Sequence, residues 1–313
     1  MIIHIGIAHY PGVMESAVAG LKELFLLANR ICSEYELEQR FECEVVFFKE
    51  DNHASPTLPD VQIVIIPPCL EGEYHKHPSS DLLSWLSNRH KQGSLICSVC
   101  AGVFILARTG LLEGRPATTH WHLADDFSQR YPEVCLESHK ILINDGDIIS
   151  AGGLMAWLDL GLELVAQFTH PKVMRQLGKS LVVDTGQREQ RYYRTFVPKL
   201  DHGSAPILKV QHHLQKHFQQ PISVPQMAEI CILTERTFLR QFVNATGIKP
   251  NQYLQQLRIQ KACEFLESTQ ETVERVALRV GYEDISAFRK VFIKITGLTP
   301  RDFRMRFGNR KFE

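Results

Sequence analysis

The sequence predicts two unlike domains: a doubly wound α/β domain, then an all-α domain with two helix-turn-helix modules in the last third. Three observations predict this. Short apolar or β-branched runs alternate with helical periodicities through residue 168, the pattern of a mostly parallel sheet. A segment around residue 288 repeats one found fifty residues earlier, and internal repeats constrain the fold before anything else does. Charge divides in the same way: Gly203 to Glu313 holds 17 Lys+Arg and 10 Asp+Glu, against 18 and 25 in the rest of a chain that is neutral as a whole. A basic part beside an acidic part places any nucleic-acid contact in the last third.

In the first part, Ile2 to Ala8 is an apolar run closed by the turn Tyr10-Pro-Gly12. Val18, Leu21, Phe25, Ala28 and Cys32 set a helical period over 15–33. Strands are expected at 45–48, 61–66, 94–97, 140–143 and 147–150, and helices at 82–90, 101–109 and 154–168. This flavodoxin-like alternation places sites at the carboxyl ends of the strands. One such end is Leu95-Ile-Cys-Ser-Val-Cys100-Ala-Gly-Val-Phe, a strand running through small residues straight into a helix. That is the grammar of a nucleophile elbow, with Cys100 at the turn and a helix N-terminus expected to favour its thiolate. Ala117-Thr-Thr-His120-Trp121-His122 follows, so a Cys–His pair is a candidate for nucleophilic chemistry.

In the last third, Phe238-Leu-Arg-Gln-Phe242-Val-Asn-Ala-Thr246-Gly247 and Phe288-Arg-Lys-Val-Phe292-Ile-Lys-Ile-Thr296-Gly297 align at an offset of 50, with Pro250 and Pro300 after them. Each copy reads as a short helix (224–230 or 272–280), a tight turn, and a second helix starting at a capping residue, Thr234 or Asp284. The paired phenylalanines share one face of the second helix. The opposite face carries Glu235, Arg236, Thr237, Arg240 and Gln241 in the first copy, and Ser286, Arg289, Lys290 and Lys294 in the second. Arginine can fork onto guanine, glutamine can pair with adenine, and lysine or threonine can hold phosphates. Thr234, Asp284 and these two faces form the expected DNA-binding set, borne on second helices of the kind that enters the major groove. Residues 251–268 join the modules as one helix about 27 Å long at 1.5 Å per residue.

Two resemblances cover the chain. Residues 207–307 resemble the AraC/XylS family of transcription regulators, at Gly281-Tyr, Phe288, Phe292, Thr296-Gly297-Leu-Thr-Pro300 and Phe303-Arg304; Arg236 and Arg240 fall where that family usually has Arg, and Lys290 stands where Arg is more usual. Pro11-Gly12, Ser98-Val-Cys100-Ala-Gly102, Thr118-Thr-His120-Trp121 and Ser150-Ala-Gly152 resemble the PfpI-type, class I glutamine amidotransferase-like superfamily, above all its GlxA-like branch fused to AraC-type domains. Enzymes of that superfamily use the elbow cysteine with a histidine and an acid from near the first strand. Ala17 occupies the usual Asp position of the fused regulators, which leaves Glu15 or Glu23 as substitutes. The resemblance therefore implies a non-catalytic sensor domain, with Cys100, His120 and Glu15 as a ligand pocket or a vestigial nucleophile.

The domains expected are 1–185, a linker over 186–205 containing Arg188, Arg191 and Arg194, and 206–313. The function expected is a sequence-specific transcription regulator. The alternative is a Cys-dependent hydrolase, amidase or glyoxalase-like enzyme with a DNA-binding tail. The partners expected are double-stranded promoter DNA, a small-molecule effector, a second copy of the chain and RNA polymerase, with no membrane and no cofactor. Cys97 and Cys100 form a lone C-x-x-C, and His213 and His217 lie four apart without a third ligand, so no metal is expected. Met1-Ile-Ile-His-Ile-Gly reads as a strand rather than a leader, and eight reduced cysteines fit the cytoplasm.

Overall fold

A computed structural model describes residues 1–48, 61–186 and 189–308. The chain divides into two compact units, Met1–Gln190 and Arg191–Glu313. Arg188 lies outside the described residues. No helix among the described residues is long and apolar enough to cross a membrane.

The first unit is built on a six-stranded sheet in the order β2-β1-β3-β4-β8-β7. Its strands are β1 (Ile2–His9), β2 (Arg40–Phe47), β3 (Ile63–Ile66), β4 (Leu95–Val99), β7 (Leu142–Asn144) and β8 (Ile148–Ala151). All neighbours are parallel except β7 and β8, which pair as Leu142 opposite Ala151 and Ile143 opposite Ser150. The central strands β3 and β4 are buried at every residue, as expected where helices cover both faces of a parallel sheet. Two short strands, β5 (Pro116–Ala117) and β6 (Cys135–Leu136), pair apart from the main sheet.

The helices of this unit are α1 (Glu15–Glu34), α2 (Ser80–Lys91), α3 (Gly102–Ala107), α4 (Ala124–Arg130), α5 (Trp157–Phe168) and α6 (Pro171–Leu181). Helix α1 buries Ala17, Val18, Leu21, Leu24, Phe25 and Ala28, the stripe its period predicts. Helix α5 starts at Trp157, three residues later than expected, because residues 153–156 turn on themselves and Ala156 N–H already bonds the Gly153 carbonyl. Helix α6 was not separated by the sequence; it ends on Val182, which adopts the left-handed conformation and is exposed.

The second unit is helical throughout: α7 (Ala205–His217), α8 (Val224–Ile230), α9 (Glu235–Thr246), α10 (Pro250–Ser268), α11 (Val273–Arg279), α12 (Ile285–Thr296) and α13 (Pro300–Phe307). It has two cores. Phe238, Phe242, Met227 and Ile207 gather around Tyr253 and Leu257, whereas Phe288, Phe292, Val276 and Phe303 gather around Ile259 and Leu266. Helix α10 therefore serves one core with its first half and the other with its second, its apolar face changing direction between Leu257 and Ile259.

The stretch expected to be a linker is divided between the units. Gln190 belongs to the first, where its side chain is buried. Tyr192 and Arg191 lie in the second, against Gly297 at the end of α12, where an added Cβ would come within 2.3 Å of the Arg191 side chain.

Candidate functional site

The two modules superimpose in their hydrogen bonding, but not at one constant offset. Helix α8 is capped by the Ser223 side chain and α11 by that of Thr272, 49 residues on. The second helices are capped by Thr234 and Asp284, 50 residues apart. The extra residue lies in the second turn. In the first turn Ile232 N–H bonds the Glu229 carbonyl and Leu233 N–H that of Ala228; in the second, Gly281 N–H bonds Leu278 and Tyr282 N–H bonds Ala277. Ile232 and Gly281 are thus equivalent, and both are left-handed, with φ of 57° and 88°. Glu283 is the inserted residue.

The buried faces match closely. Phe238 and Phe242 lie 5.4 Å apart between ring centres, and Phe288 and Phe292 5.6 Å. Phe242 meets Tyr253 edge-on, and Phe292 meets Phe303 in the same way. Gly247 and Gly297 close the helices at φ of 78° and 79°, a conformation that glycine adopts without a Cβ penalty.

Opposite those rings, Glu235, Arg236 and Arg240 are exposed on α9, with Thr237 and Gln241 half-buried. Ser286, Arg289, Lys290 and Lys294 are exposed on α12. The structure thus puts the expected residues on outward faces, although four of them already have local work. Thr234 accepts from the Thr237 N–H, and its hydroxyl bonds the Thr237 hydroxyl at 2.9 Å. Asp284 accepts from the N–H groups of Ser286 and Ala287 at 2.8 and 3.2 Å. Among the described residues, Arg236, Arg240, Lys290 and Lys294 have no acidic partner, whereas Arg289 is paired to Glu274 at 2.7 Å.

Arg258, on α10, fixes the second turn to the end of α7 and the residues just after it, ahead of the first module. Its Nε donates to the Phe218 carbonyl at 2.7 Å, Nη2 to Gln220 and Nη1 to Gly281, both at 3.0 Å. Sequence reading missed it, because an arginine in a helix of mixed polarity gives no sign that three carbonyls will converge on it.

In the first unit, β4 runs through Cys100 into α3 as the elbow pattern predicts. Cys100 holds φ at 54°, a strained value for a residue with a side chain, and its N–H bonds the Ala151 carbonyl at 2.7 Å. Gly102 is required beside it: an added Cβ would lie 2.7 Å from the Ile66 carbonyl oxygen and 2.9 Å from that of Pro67. The expectation of a favoured thiolate is corrected. Cys100 is only 3 % exposed, and burial pushes its thiol up to about 12, against the opposing N–H groups of Ala101 and Gly153. Six-residue α3 provides little dipole to offset that desolvation.

Glu15 and His120, two of the expected partners, are hydrogen-bonded to other groups. Glu15 is exposed and bonds His9 at 2.7 Å, and Glu23 is exposed on α1. His120 uses Nδ1 to accept from the His122 N–H, and burial, followed by His122, lowers its pKa. No hydrogen bond joins Cys100 to His120 or Glu15 among the described residues. Instead Thr119 donates to the Cys100 carbonyl, and the buried Tyr10 ring stacks on Tyr74. All eight cysteines are free, and Cys97 is fully buried, its thiol raised well above the ordinary value by desolvation. His213 and His217 stand with ring centres 4.6 Å apart, and no group of three metal-ligating residues occurs among the described residues.

Comparison with known proteins agrees with this division. Residues 227–306 match the model of a helix-turn-helix domain, and residues 54–167 match that of the DJ-1/PfpI family. The chain is 29 % identical to the HTH-type transcriptional regulator CdhR of Pseudomonas aeruginosa over 67 % of this chain and 63 % of that protein. It is 28 % identical to the HTH-type transcriptional regulator ArgR of the same species over 71 % and 68 %. It is 22 % identical to the HTH-type transcriptional regulator GlxA of Rhizobium meliloti over 69 % and 67 %. The chain thus spans about two thirds of the length of these relatives. It carries a DJ-1/PfpI-family domain followed by a helix-turn-helix domain of the AraC type.

Proposed function

We propose that this protein is a sequence-specific DNA-binding transcription regulator. The observation that carries the reading is the pair of equivalent helices α9 and α12. Each is capped, pinned by two buried phenylalanines and faced outward with cationic side chains. Three relatives named as transcriptional regulators support it. In this reading α9 and α12 each enter a major groove of promoter DNA, and α10 sets their separation. The first unit binds a small-molecule effector near the elbow, and the working form is a homodimer in the cytoplasm that contacts RNA polymerase.

The test is selection of duplexes from a random pool by the full chain, followed by titration of Arg236→Ala and Arg240→Ala on the enriched duplex. Each arginine that contacts a base contributes about 1–3 kcal/mol. Enrichment of no duplex, or full affinity in both variants, refutes the assignment of α9 as a reading helix.

One observation favours the enzyme alternative, the strained elbow at Cys100. The protonated thiol and the absence of a bonded His among the described residues weigh against it. Turnover of amides or α-oxoaldehydes that is lost in Cys100→Ala would establish it.

A further inference from the structure

The ion pair between Glu274 and Arg289 is the one place where an acid holds a cation of either outward face, among the described residues. Glu274 is the second residue of α11 and Arg289 the fifth of α12. Glu274 Oε1 accepts from Arg289 Nη2 at 2.7 Å, and both side chains are 53 % exposed, so the pair is reachable from solvent. The first module has nothing like it. Its equivalent positions, 49 residues before Glu274 and 50 before Arg289, hold Pro225 and Leu239.

An arginine on a helix that approaches DNA has phosphates as well as base edges within reach, and a phosphate contact carries no sequence information. A carboxylate bonded to one Nη changes this in two ways. It offsets the positive charge that draws the guanidinium to the backbone, and it fixes the side-chain rotamer. The N–H groups left on the rigid guanidinium still present a fork, the donor pattern that fits O6 and N7 of guanine. We propose that Glu274 is a specificity-determining positioning residue: it holds Arg289 of α12 as a reader of one guanine and keeps it from acting as a phosphate clamp. The proposal rests on the DNA-binding reading of the second unit.

The experiment uses the full chain and a duplex enriched from a random pool by the unmodified protein. Every base pair of the site is substituted in turn, and affinities are measured for the unmodified chain, Glu274→Gln, Arg289→Ala, Arg289→Lys and the Glu274→Gln/Arg289→Ala double variant. Discrimination at one G·C pair is expected to fall about tenfold in Arg289→Ala, the loss of a bidentate base contact. Glu274→Gln is expected to lose the same discrimination at the same pair, while its binding to unrelated DNA tightens. Its log affinity against log salt should steepen by about one unit on that DNA, because the released arginine takes a phosphate. Arg289→Lys should keep the salt slope and lose the discrimination, and the double variant should lose no more than either single one. Thermal melting of each variant separates these effects from unfolding.

If Glu274→Gln is folded and discriminates as the unmodified chain does at every pair, the proposal is overturned. It is overturned also if Arg289→Ala and Arg289→Lys discriminate normally, whatever Glu274→Gln does. An unmodified chain that enriches no duplex refutes the DNA-binding reading, and this proposal with it; normal enrichment with unchanged discrimination refutes this proposal alone.

Discussion

The hydroxyl of Thr119 donates to the carbonyl oxygen of Cys100 across 2.9 Å, and the carbonyl of the same Thr119 accepts from the side chain of Gln190 at 2.8 Å. Gln190 also donates to the Lys140 carbonyl at 2.8 Å, and its Oε1 accepts from the Trp121 N–H at 3.1 Å. The strained elbow is therefore tied, through one threonine, to the last residue of the first unit. Gln190→Ala leaves several buried polar groups without partners, at about 1–3 kcal/mol for each that water does not reach. We expect a lower melting temperature for the first unit and faster hydrogen exchange at the Trp121 amide. Unchanged exchange at Trp121 would show that the amide is protected by something else.

Cys100 is predicted to be a slow nucleophile. With its thiol pushed up to about 12 by burial, the thiolate fraction at pH 7 is on the order of 10⁻⁵. Iodoacetamide at pH 7 should label the exposed Cys135 first and leave Cys100 unmodified, as read by peptide mass spectrometry. The linked stability has a definite sign. A thiol raised in the folded state contributes stability that is whole below the unfolded value near 8.5 and is lost as pH rises toward the folded one. The first unit should therefore melt at progressively lower temperature above about pH 9, and Cys100→Ser should flatten that slope. Rapid labelling of Cys100 at neutral pH would contradict the burial argument.

The helix-turn-helix repeat was legible because its signals are local. Phe pairs four apart, a polar cap before them and glycine after them are each fixed by the geometry of a single helix. The strand order of the first unit was legible only as a class, since alternation of runs says that the sheet is parallel but not which strands adjoin. What could not be read were contacts between distant polar residues. Gln190 lies in a run of Gln, Arg and Tyr that resembles a solvated connector, and only the fold brings the Thr119 and Lys140 carbonyls to it. Glu15 was chosen for its place after the first strand, yet its carboxylate turns to His9, because a partner on the adjacent strand end lies within 2.7 Å.

Asp147 gives the first unit an acid-sensitive link. The Arg115 guanidinium hydrogen-bonded to it, with His90 at 2.6 Å, holds its carboxyl well below the usual carboxylate range. A carboxylate depressed in the folded state contributes stability above its unfolded value near 3.9, and that contribution is lost as pH falls through the folded one. Asp147→Asn should lower the melting temperature at pH 7, and the gap to the unmodified protein should close as pH drops below about 4. Half of this side chain is solvent-exposed, so the gap should also narrow in high salt. A gap that is constant from pH 7 to pH 3 would assign the effect to packing rather than charge.

Equivalent turn positions carry opposite predictions. Ile232 holds φ at 57° while 87 % exposed, so it bears the cost of a left-handed β-branched residue with almost no burial in return. That cost is about 1–2 kcal/mol, and glycine gives back some of it by loosening the unfolded chain. Ile232→Gly should stabilise the second unit by about 0.5–1 kcal/mol. Gly281→Ala should do the reverse, by about 2 kcal/mol or more. Its added Cβ would stand 2.5 Å from the Gln219 carbonyl oxygen and 3.0 Å from the Arg258 Cζ. Calorimetry measures both, and the same sign for the two substitutions would refute the equivalence of the turns.

Arg258 should prove a costly truncation for a polar side chain in the second unit. Its guanidinium satisfies the carbonyls of Phe218, Gln220 and Gly281 from a half-buried site, and it lies over the Tyr282 ring at 5.6 Å. Burial lowers its pKa without threatening its charge, since an arginine stays protonated at any ordinary pH. Hydrogen bonds that involve a charged donor contribute about 1.5–3 kcal/mol each before losses are shared, so Arg258→Ala should cost about 3 kcal/mol in total. Lysine can reach one of the three acceptors and should recover less than half of that. Trp85, Trp121 and Trp157 all lie in the first unit, so tryptophan fluorescence will not report this loss, and calorimetry must be used. Because Gly281 belongs to the turn before α12 and Phe218 closes α7, the same variant should loosen the fixed angle between the modules. DNA affinity should then fall further for a site read by both helices than for a half-site read by α9 alone, and an equal loss on both would show that Arg258 supports the fold without setting the spacing.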